Sequence, residues 1–133
     1  MRDPLQNISP LDGRYDSKVD DLRPYFSEAA LMRYRILVEV EWFIFLSNQI
    51  KLDGLKVWRA SELKQIRSIY EYFDSVNANR VKAIEKVTNH DVKAIEYFIK
   101  ENLKDTAFEP YLEFIHFACT SEDINNLAYA LML

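Results

Sequence analysis

The chain has 133 residues, of which 49% are hydrophobic, and it contains two glycines and four prolines against eight tyrosines and eight phenylalanines. This composition is typical of one helix-rich domain, and it excludes a turn-rich β protein and a disordered chain. The net charge of −4 comes from interspersed acidic and basic residues, so the sequence offers no basic patch for nucleic acid.

The chain carries no pattern that would direct it into or across a membrane. Its first ten residues, MRDPLQNISP, lack a basic segment followed by an apolar one. The longest wholly apolar run, 42–46, is far too short to span a bilayer. The single cysteine, Cys119, permits no internal disulfide and fits a reducing compartment. We therefore expect a cytoplasmic protein with no membrane partner.

An irregular arm is predicted from the first residue to about Tyr15, because prolines and the Asp12-Gly13 turn signal interrupt regular structure. A short helical segment is predicted over 17–22. A long helix then runs from Ser27 to about Asn48. Its apolar stripe consists of Leu31, Tyr34, Val38, Trp42, Phe45 and Leu46. Within it, the four-residue spacing of Arg35 and Glu39 permits a modest surface ion pair.

The same periodicity predicts more helices in the second half of the chain. They cover 61–73, 80–86 and 91–103, and a further helical segment over 111–119 follows Pro110. A loop at 51–55 and a break at 104–109 separate them. The predicted fold class is all-α.

The last helix begins with a complete N-terminal pattern. Thr120 can cap it and Asp123 stands three residues later, while Cys119 and Ile124 occupy the flanking apolar positions. One apolar face is formed by Ile124, Leu127, Ala128 and Leu131. The final turn has no glycine, basic residue or following proline, so we expect these residues to be the front part of a longer protein.

Three junctions between a loop and a helix concentrate polar groups, and the segment TNHDVKAIEYF is the first. Thr88, Asn89 and Asp91 are all plausible caps for the helix that follows, so their polarity requires no function. His90 lies in or just before the first turn, where the helix dipole disfavours a charged ring. A capping or surface histidine and a neutral active-site histidine both remain open on position alone.

The other two junctions are CTSEDINN and SPLDGRY. Plain capping explains Thr120 and Asp123, but the free backbone N–H groups with the Thr120 and Ser121 hydroxyls also suit a carboxylate or phosphate. In SPLDGRY, Arg14 beside Tyr15 offers a planar fork for a phosphate, although an ordinary exposed arginine is the more common explanation for any single arginine.

The remaining chemically interesting residues are predicted to be structural. His116 lies between apolar residues and is expected to be a packed core histidine. Cys119 has no adjacent basic partner, so a nucleophilic role is not expected. Two histidines and one cysteine give no metal-ligand spacing, so neither a metal nor a cofactor is predicted.

Four segments in order resemble the N-terminal part of the adenylosuccinate lyase family, within the fumarase/aspartase superfamily. They are SPLDGRY, FSEAALMRYRILVEVEW, TNHDVKAIEYFIK and EFIHFACTSEDINNLAYALML. Together they span 8–133. The resemblance implies an all-α N-terminal helical domain over 1–109 and the start of a long central helical bundle over 110–133.

The resemblance also implies an activity, which is the β-elimination of fumarate from adenylosuccinate to give AMP. The same reaction on the succinylated aminoimidazole carboxamide ribotide belongs to purine biosynthesis. The family places residues equivalent to Arg14 and Tyr15 around the nucleotide phosphate. It places the equivalents of Asn89, His90 and Asp91 at the substrate, and those of Thr120 and Ser121 at the succinyl carboxylates. Fixed donors aimed at a carboxylate that gains charge lower such a barrier most.

The family's general acid, a later histidine, and its base, a serine near an SSxMPxK segment, do not occur in these residues. No catalytic residue is therefore assigned here, the chain alone is expected to be inactive, and His90 is expected to bind and orient substrate. The family assembles its active sites from several subunits of a homotetramer. Its partners are small molecules, and no cofactor is implied.

Two alternatives remain open. The chain could belong to another lyase of the superfamily, such as argininosuccinate lyase, although Arg14 and Tyr15 favour a phosphate-bearing substrate. It could also be a non-catalytic helical interaction module whose exposed last helix docks on a partner.

Overall fold

Helix α2, Glu28–Phe45, is the central element of the protein. The structure is a computed structural model that describes residues 4–133. The Ser27 hydroxyl accepts a hydrogen bond from the Ala30 N–H at 3.1 Å, so this helix begins at the predicted cap. Helices α3 (Ala60–Glu71), α4 (Ser75–Thr88), α5 (Asp91–Leu103) and α6 (Ser121–Met132) all pack against it.

Because helices surround α2 on several sides, it is buried over more than one stripe. Its buried residues are Ala30, Met32, Tyr34, Arg35, Ile36, Val38, Glu39, Val40, Phe43 and Ile44. The predicted stripe was therefore too narrow, and Phe45, which belonged to it, is 44% exposed. The prediction that Arg35 and Glu39 form a surface pair was wrong, since both are buried and each has a different partner.

The arm before α2 consists of turns and short helical pieces. It contains 3-10 turns at Pro4–Gln6, Asp16–Lys18 and Asp20–Leu22, and then the four-residue helix α1, Arg23–Phe26. The predicted segment 17–22 is thus two 3-10 turns, and the helical course continues through Pro24. The predicted irregular arm also includes residues 1–3, which lie outside the described residues.

A π-helical turn, Leu46–Ile50, ends α2, and Lys51 then adopts a left-handed conformation with φ 54°. The loop that follows contains Gly54 at φ 83°, a value that glycine adopts without strain. Trp58, at the end of this loop, packs into the main core against Phe43 and Phe108. The loop predicted at 51–55 therefore extends to the start of α3.

Helices α4 and α5 form a hairpin whose connection is made by Asn89 and His90. Asn89 is left-handed with φ 52° and ends α4, while α5 has the bounds that the periodicity predicted. Apolar residues of α2, α3, α4 and α5, together with Phe108 from the segment after α5, make one continuous core. Its most buried members include Ile36, Val40, Phe43, Ile66, Val81, Ile95, Ile99 and Phe108.

The helical segment predicted over 111–119 was wrong in its second half. Pro110 stands at the beginning of a 3-10 helix, Glu109–Phe114, but no helix follows it before α6. His116 and Ala118 are left-handed, with φ 63° and 58°. The side chains of α2 hold this segment in a loop, as described below.

The all-α fold class is confirmed: the described residues 4–133 contain helices and turns and no strand. Within the same residues, no helix is long and apolar enough to cross a membrane.

Candidate functional site

The N-terminus of α5 is capped by His90 and not by Thr88, Asn89 or Asp91, which the sequence suggested. The backbone N–H of Lys93 donates to Nδ1 of His90 at 3.1 Å. Nδ1 is therefore an acceptor, and the proton of the neutral ring resides on Nε2. The side chain is half exposed, so His90 caps the helix while keeping a donor available to solvent or to a ligand.

Asp91 follows the cap and is bound by a buried arginine of α2. Its Oδ2 lies 2.8 Å from Nη2 of Arg35, and its Oδ1 accepts from the Val92 N–H at 2.9 Å. Burial by itself would raise the pKa of Asp91. The Val92 N–H and Arg35 outweigh that effect and hold the pKa below its usual value. Asp91 is therefore a carboxylate with an assigned structural partner.

Arg35 also reaches α6, because its Nε donates to Oδ1 of Asn125 at 2.9 Å. An apolar cluster lies in the same region, where Val92 in the first turn of α5 and Ile124 in the first turn of α6 both pack on Val38. Polar and apolar contacts together bring the N-termini of α5 and α6 side by side on α2.

The N-terminus of α6 has the predicted cap, Thr120, and the predicted partner, Asp123. Oδ2 of Asp123 accepts the Thr120 N–H at 2.7 Å and the Thr120 hydroxyl at 2.9 Å. These two donors lower the pKa of Asp123. The Thr120 proton is thus already used, whereas the Ser121 hydroxyl makes no hydrogen bond within the described residues. Ser121 is the side chain at this terminus that is free to donate.

Two adjacent helix N-termini concentrate partial positive charge. In α5 the N–H groups of Val92 and Lys93 are already bound by Asp91 and His90. His90 and Ser121 add side-chain donors to these termini. The arrangement is suited to an anion such as a carboxylate, as the sequence predicted for Thr120 and Ser121.

Arg14 and Tyr15 lie apart from this junction, in the arm. The Arg14 guanidinium stands 5.3 Å from the centroid of the Tyr15 ring, and both side chains are exposed. Among residues 4–133, no hydrogen bond or ion pair joins them to α5 or α6. The structure therefore brings five of the seven predicted residues together: Asn89, His90, Asp91, Thr120 and Ser121.

Sequence reasoning missed a second pair at the junction, which consists of Glu39 and His116. Oε1 of the fully buried Glu39 lies 2.5 Å from Nδ1 of His116, whose side chain is 21% exposed. This hydrogen bond to a carboxylate raises the pKa of His116. His116 is thus partly buried and paired with a charge, and is not the apolar-packed histidine that was expected.

One signal in the sequence could have found these residues. Arg35 and Glu39 are charged positions within the otherwise apolar stretch LMRYRILVEVEWFIF. A charge that is buried on all sides must be paired, so each of them implies a partner elsewhere in the chain.

Comparison with known proteins identifies the family. A family model described as Lyase matches residues 13–133. The chain belongs to this lyase family. The resemblance to adenylosuccinate lyases is confirmed by curated relatives of that name. Those of Buchnera aphidicola, Haemophilus influenzae and Dictyostelium discoideum are 46%, 47% and 48% identical over 130, 130 and 132 residues. Each alignment covers 97% of this chain and 28% of the relative. The chain thus spans just over a quarter of the length of these relatives.

An apolar groove of about 680 Å³ lies between α2 and α6. Of the face predicted for the last helix, Ile124 and Ala128 are buried against α2, while Leu127 and Leu131 are 57% and 46% exposed and line the groove. Cys119 lies at its edge, where burial raises the pKa of its thiol to about 11. The thiolate is therefore disfavoured, in agreement with a structural cysteine.

No group of three or more His, Cys, Asp or Glu residues in the described part of this lyase-family chain is arranged to hold a metal ion. The titratable residues of the junction pair with Arg35, with one another or with backbone N–H groups.

Proposed function

We propose that these residues form the N-terminal part of an adenylosuccinate lyase and contribute binding groups to its active site. The reaction is the β-elimination of fumarate from adenylosuccinate to give AMP. The same reaction releases fumarate from the succinylated aminoimidazole carboxamide ribotide in purine biosynthesis. The observation that carries the proposal is the pair of helix N-termini with His90 and Ser121, in a chain 46% identical to enzymes of that name.

Each substrate group would meet a group of matching chemistry. The N-terminus of α6, with Thr120 and Ser121, would bind the succinyl carboxylates, since fixed donors there stabilise the charge that builds up when the neighbouring carbon loses its proton. His90 would orient the substrate through its Nε2–H. Asn89 and Asp91 would shape the site beside it, with Asp91 held by Arg35.

Arg14 and Tyr15 would bind the nucleotide phosphate, because a guanidinium matches a phosphate in a bidentate manner. The general acid and the base would come from other segments of the full-length protein. In the whole protein, active sites built from several subunits of a homotetramer and a location in the cytoplasm complete the proposal.

The first test is whether the full-length protein releases fumarate from adenylosuccinate, followed by absorbance. Ser121→Ala should lower turnover or weaken fumarate binding, because the free donor is lost. The melting temperature should stay unchanged, since Thr120 and Asp123 still cap α6. Ser68→Ala, on the distant helix α3, is the matched control.

A Ser121→Ala enzyme with full activity and a lowered melting temperature would contradict this role and leave capping as the only function of the segment.

A further inference from the structure

The loop between the 3-10 helix and α6 is held in an unfavourable backbone conformation. His116 and Ala118 both adopt left-handed φ values, 63° and 58°, although neither is a glycine. Such residues persist only where the surrounding structure fixes them. The loop ends at Thr120, so its conformation determines where α6 begins and where the hydroxyls of its first turn lie.

Two residues of α2 hold this loop by hydrogen bonds. They are three positions apart and therefore lie on the same face of the helix. Glu39 binds Nδ1 of His116, and Nε1 of Trp42 donates to the carbonyl oxygen of Phe117 at 2.8 Å. The two contacts hold consecutive loop residues. Val38, next to Glu39, packs with Cys119 and Ile124 at the end of the loop.

A gain in stability does not by itself explain why the charged Glu39 is buried. It is fully buried, and its second oxygen, Oε2, has no hydrogen-bond partner among the described residues. A buried ion pair with an unsatisfied atom is often no more stable than apolar residues of the same size. The pair of Glu39 and His116 is better explained by a need for one defined loop geometry.

We propose that Glu39 and Trp42 are positioning residues, which set the geometry of Thr120 and Ser121 for carboxylate binding by holding the loop at His116 and Phe117. This inference rests on the proposed function, because it assigns the carboxylate end of the substrate to the α6 N-terminus. Neither residue needs to contact the substrate.

The test uses the full-length enzyme and two conservative variants. Glu39→Gln keeps the shape of the side chain and removes its charge, and Trp42→Phe removes the indole donor while keeping an aromatic ring. Inhibition constants are measured for fumarate and for AMP. The inhibition constant for fumarate should rise about tenfold or more in both variants, because a misplaced donor loses much of its effect. AMP should bind as before, since the nucleotide end does not depend on this loop.

Matched controls separate positioning from general stability. Glu62→Gln neutralises another mostly buried carboxylate, which pairs with Lys56 and, in the described part of the chain, makes no hydrogen bond or ion pair with the loop before α6. Trp58→Phe removes an indole N–H that has no partner among the described residues. Both controls should leave the ratio of fumarate to AMP affinity unchanged, even where they lower the melting temperature.

Normal fumarate affinity in Trp42→Phe, or an equal loss of fumarate and AMP affinity in both variants, would overturn the inference. If Glu39→Gln does not fold, Trp42→Phe decides alone. A wild-type enzyme that releases no fumarate would refute the proposed function, and the inference with it. An active wild type whose variants bind fumarate normally would refute only the inference.

Discussion

His90 illustrates how one side chain combines a local and a chemical role. Its Nδ1 caps α5, which leaves Nε2–H for a ligand. Asparagine caps helices well but is shorter, so His90→Asn should keep the melting temperature and lose turnover. His90→Ala should lose both, with a stability loss of about 1 kcal/mol. His90→Gln, which retains hydrogen-bonding capacity, should keep more activity than His90→Ala.

Steady-state kinetics and thermal denaturation of the three full-length variants decide this prediction. Wild-type turnover in His90→Ala would show that the residue is only a cap.

The pair of Glu39 and His116 should make stability depend on pH. Because Glu39 raises the pKa of His116 in the folded protein, the pair stabilises fully below the unfolded value of about 6.5. That contribution is lost as pH rises through the raised folded pKa. Nearby Glu96 favours the protonated ring and Lys93 opposes it. The stability advantage of the wild type over Glu39→Gln should therefore shrink from pH 6 upward.

Urea denaturation of the wild type and of Glu39→Gln between pH 6 and pH 9 measures how the difference in their free energies of unfolding changes with pH. An advantage that is constant with pH, or that grows, would contradict a protonated His116 in the folded state.

Arg35 joins three helices through a single side chain. It lies on α2 and binds Asp91 of α5 and Asn125 of α6. Lysine cannot reproduce this fork, so Arg35→Lys should lose one of the two contacts and destabilise the chain by about 1–2 kcal/mol. Arg80→Lys is the control, since Arg80 forms an exposed pair with Glu101 and should change stability little.

Urea denaturation of the 133-residue chain provides the measurement. Equal losses in the two variants would mean that Arg35 contributes no more than a surface arginine.

Helix α6 leaves an apolar surface along the groove that it forms with α2. Leu127 and Leu131 are exposed there, beside Trp42 and Phe45. Exposed apolar patches of this kind usually mark an interface, so the 133-residue chain should self-associate. Replacing both leucines by glutamate should weaken the association. Tyr72→Glu, at an exposed aromatic residue outside the groove, should not.

Sedimentation velocity over a range of concentrations measures the association. A strictly monomeric wild-type chain at high concentration would refute an interface at this groove.

The proposed function assigns only substrate-binding groups to these 133 residues and places the general acid and the base in other segments of the full-length protein. We therefore expect the 133-residue chain to release no fumarate from adenylosuccinate and to bind AMP only weakly. Arg14→Lys should abolish that weak binding, because lysine cannot bind a phosphate in a bidentate manner. Arg59→Lys, at an exposed arginine outside the arm, is the control.

Calorimetric titration with AMP and an absorbance assay test this expectation. Measurable fumarate release would refute it, and so would AMP binding that is unaffected by Arg14→Lys. The division into domains at residue 109 stays a prediction.

Much of the fold could be read from the sequence, because its signals are local. The bounds of α5, the Ser27 cap of α2 and the Thr120 cap of α6 follow from periodicity and capping chemistry within a few residues. Five residues of the candidate site stand at two such caps. The sequence thus identified where α2, α5 and α6 begin and which polar groups stand there, but it placed the start of α4, observed at Ser75, five residues too late at 80.

Only the tertiary structure decided which of these groups lie together and what holds them. Glu39 and His116 are 77 residues apart in the chain, and Arg35 and Asn125 are 90 apart. Neither pair could be chosen from spacing, because a helix pattern shows that a charge is on a helix and not which neighbour will bury it. The loop before α6 looked helical because the sequence shows only its local preference. Contacts with Glu39 and Trp42, made across the fold, outweigh the local preference of 115–119 for a helix.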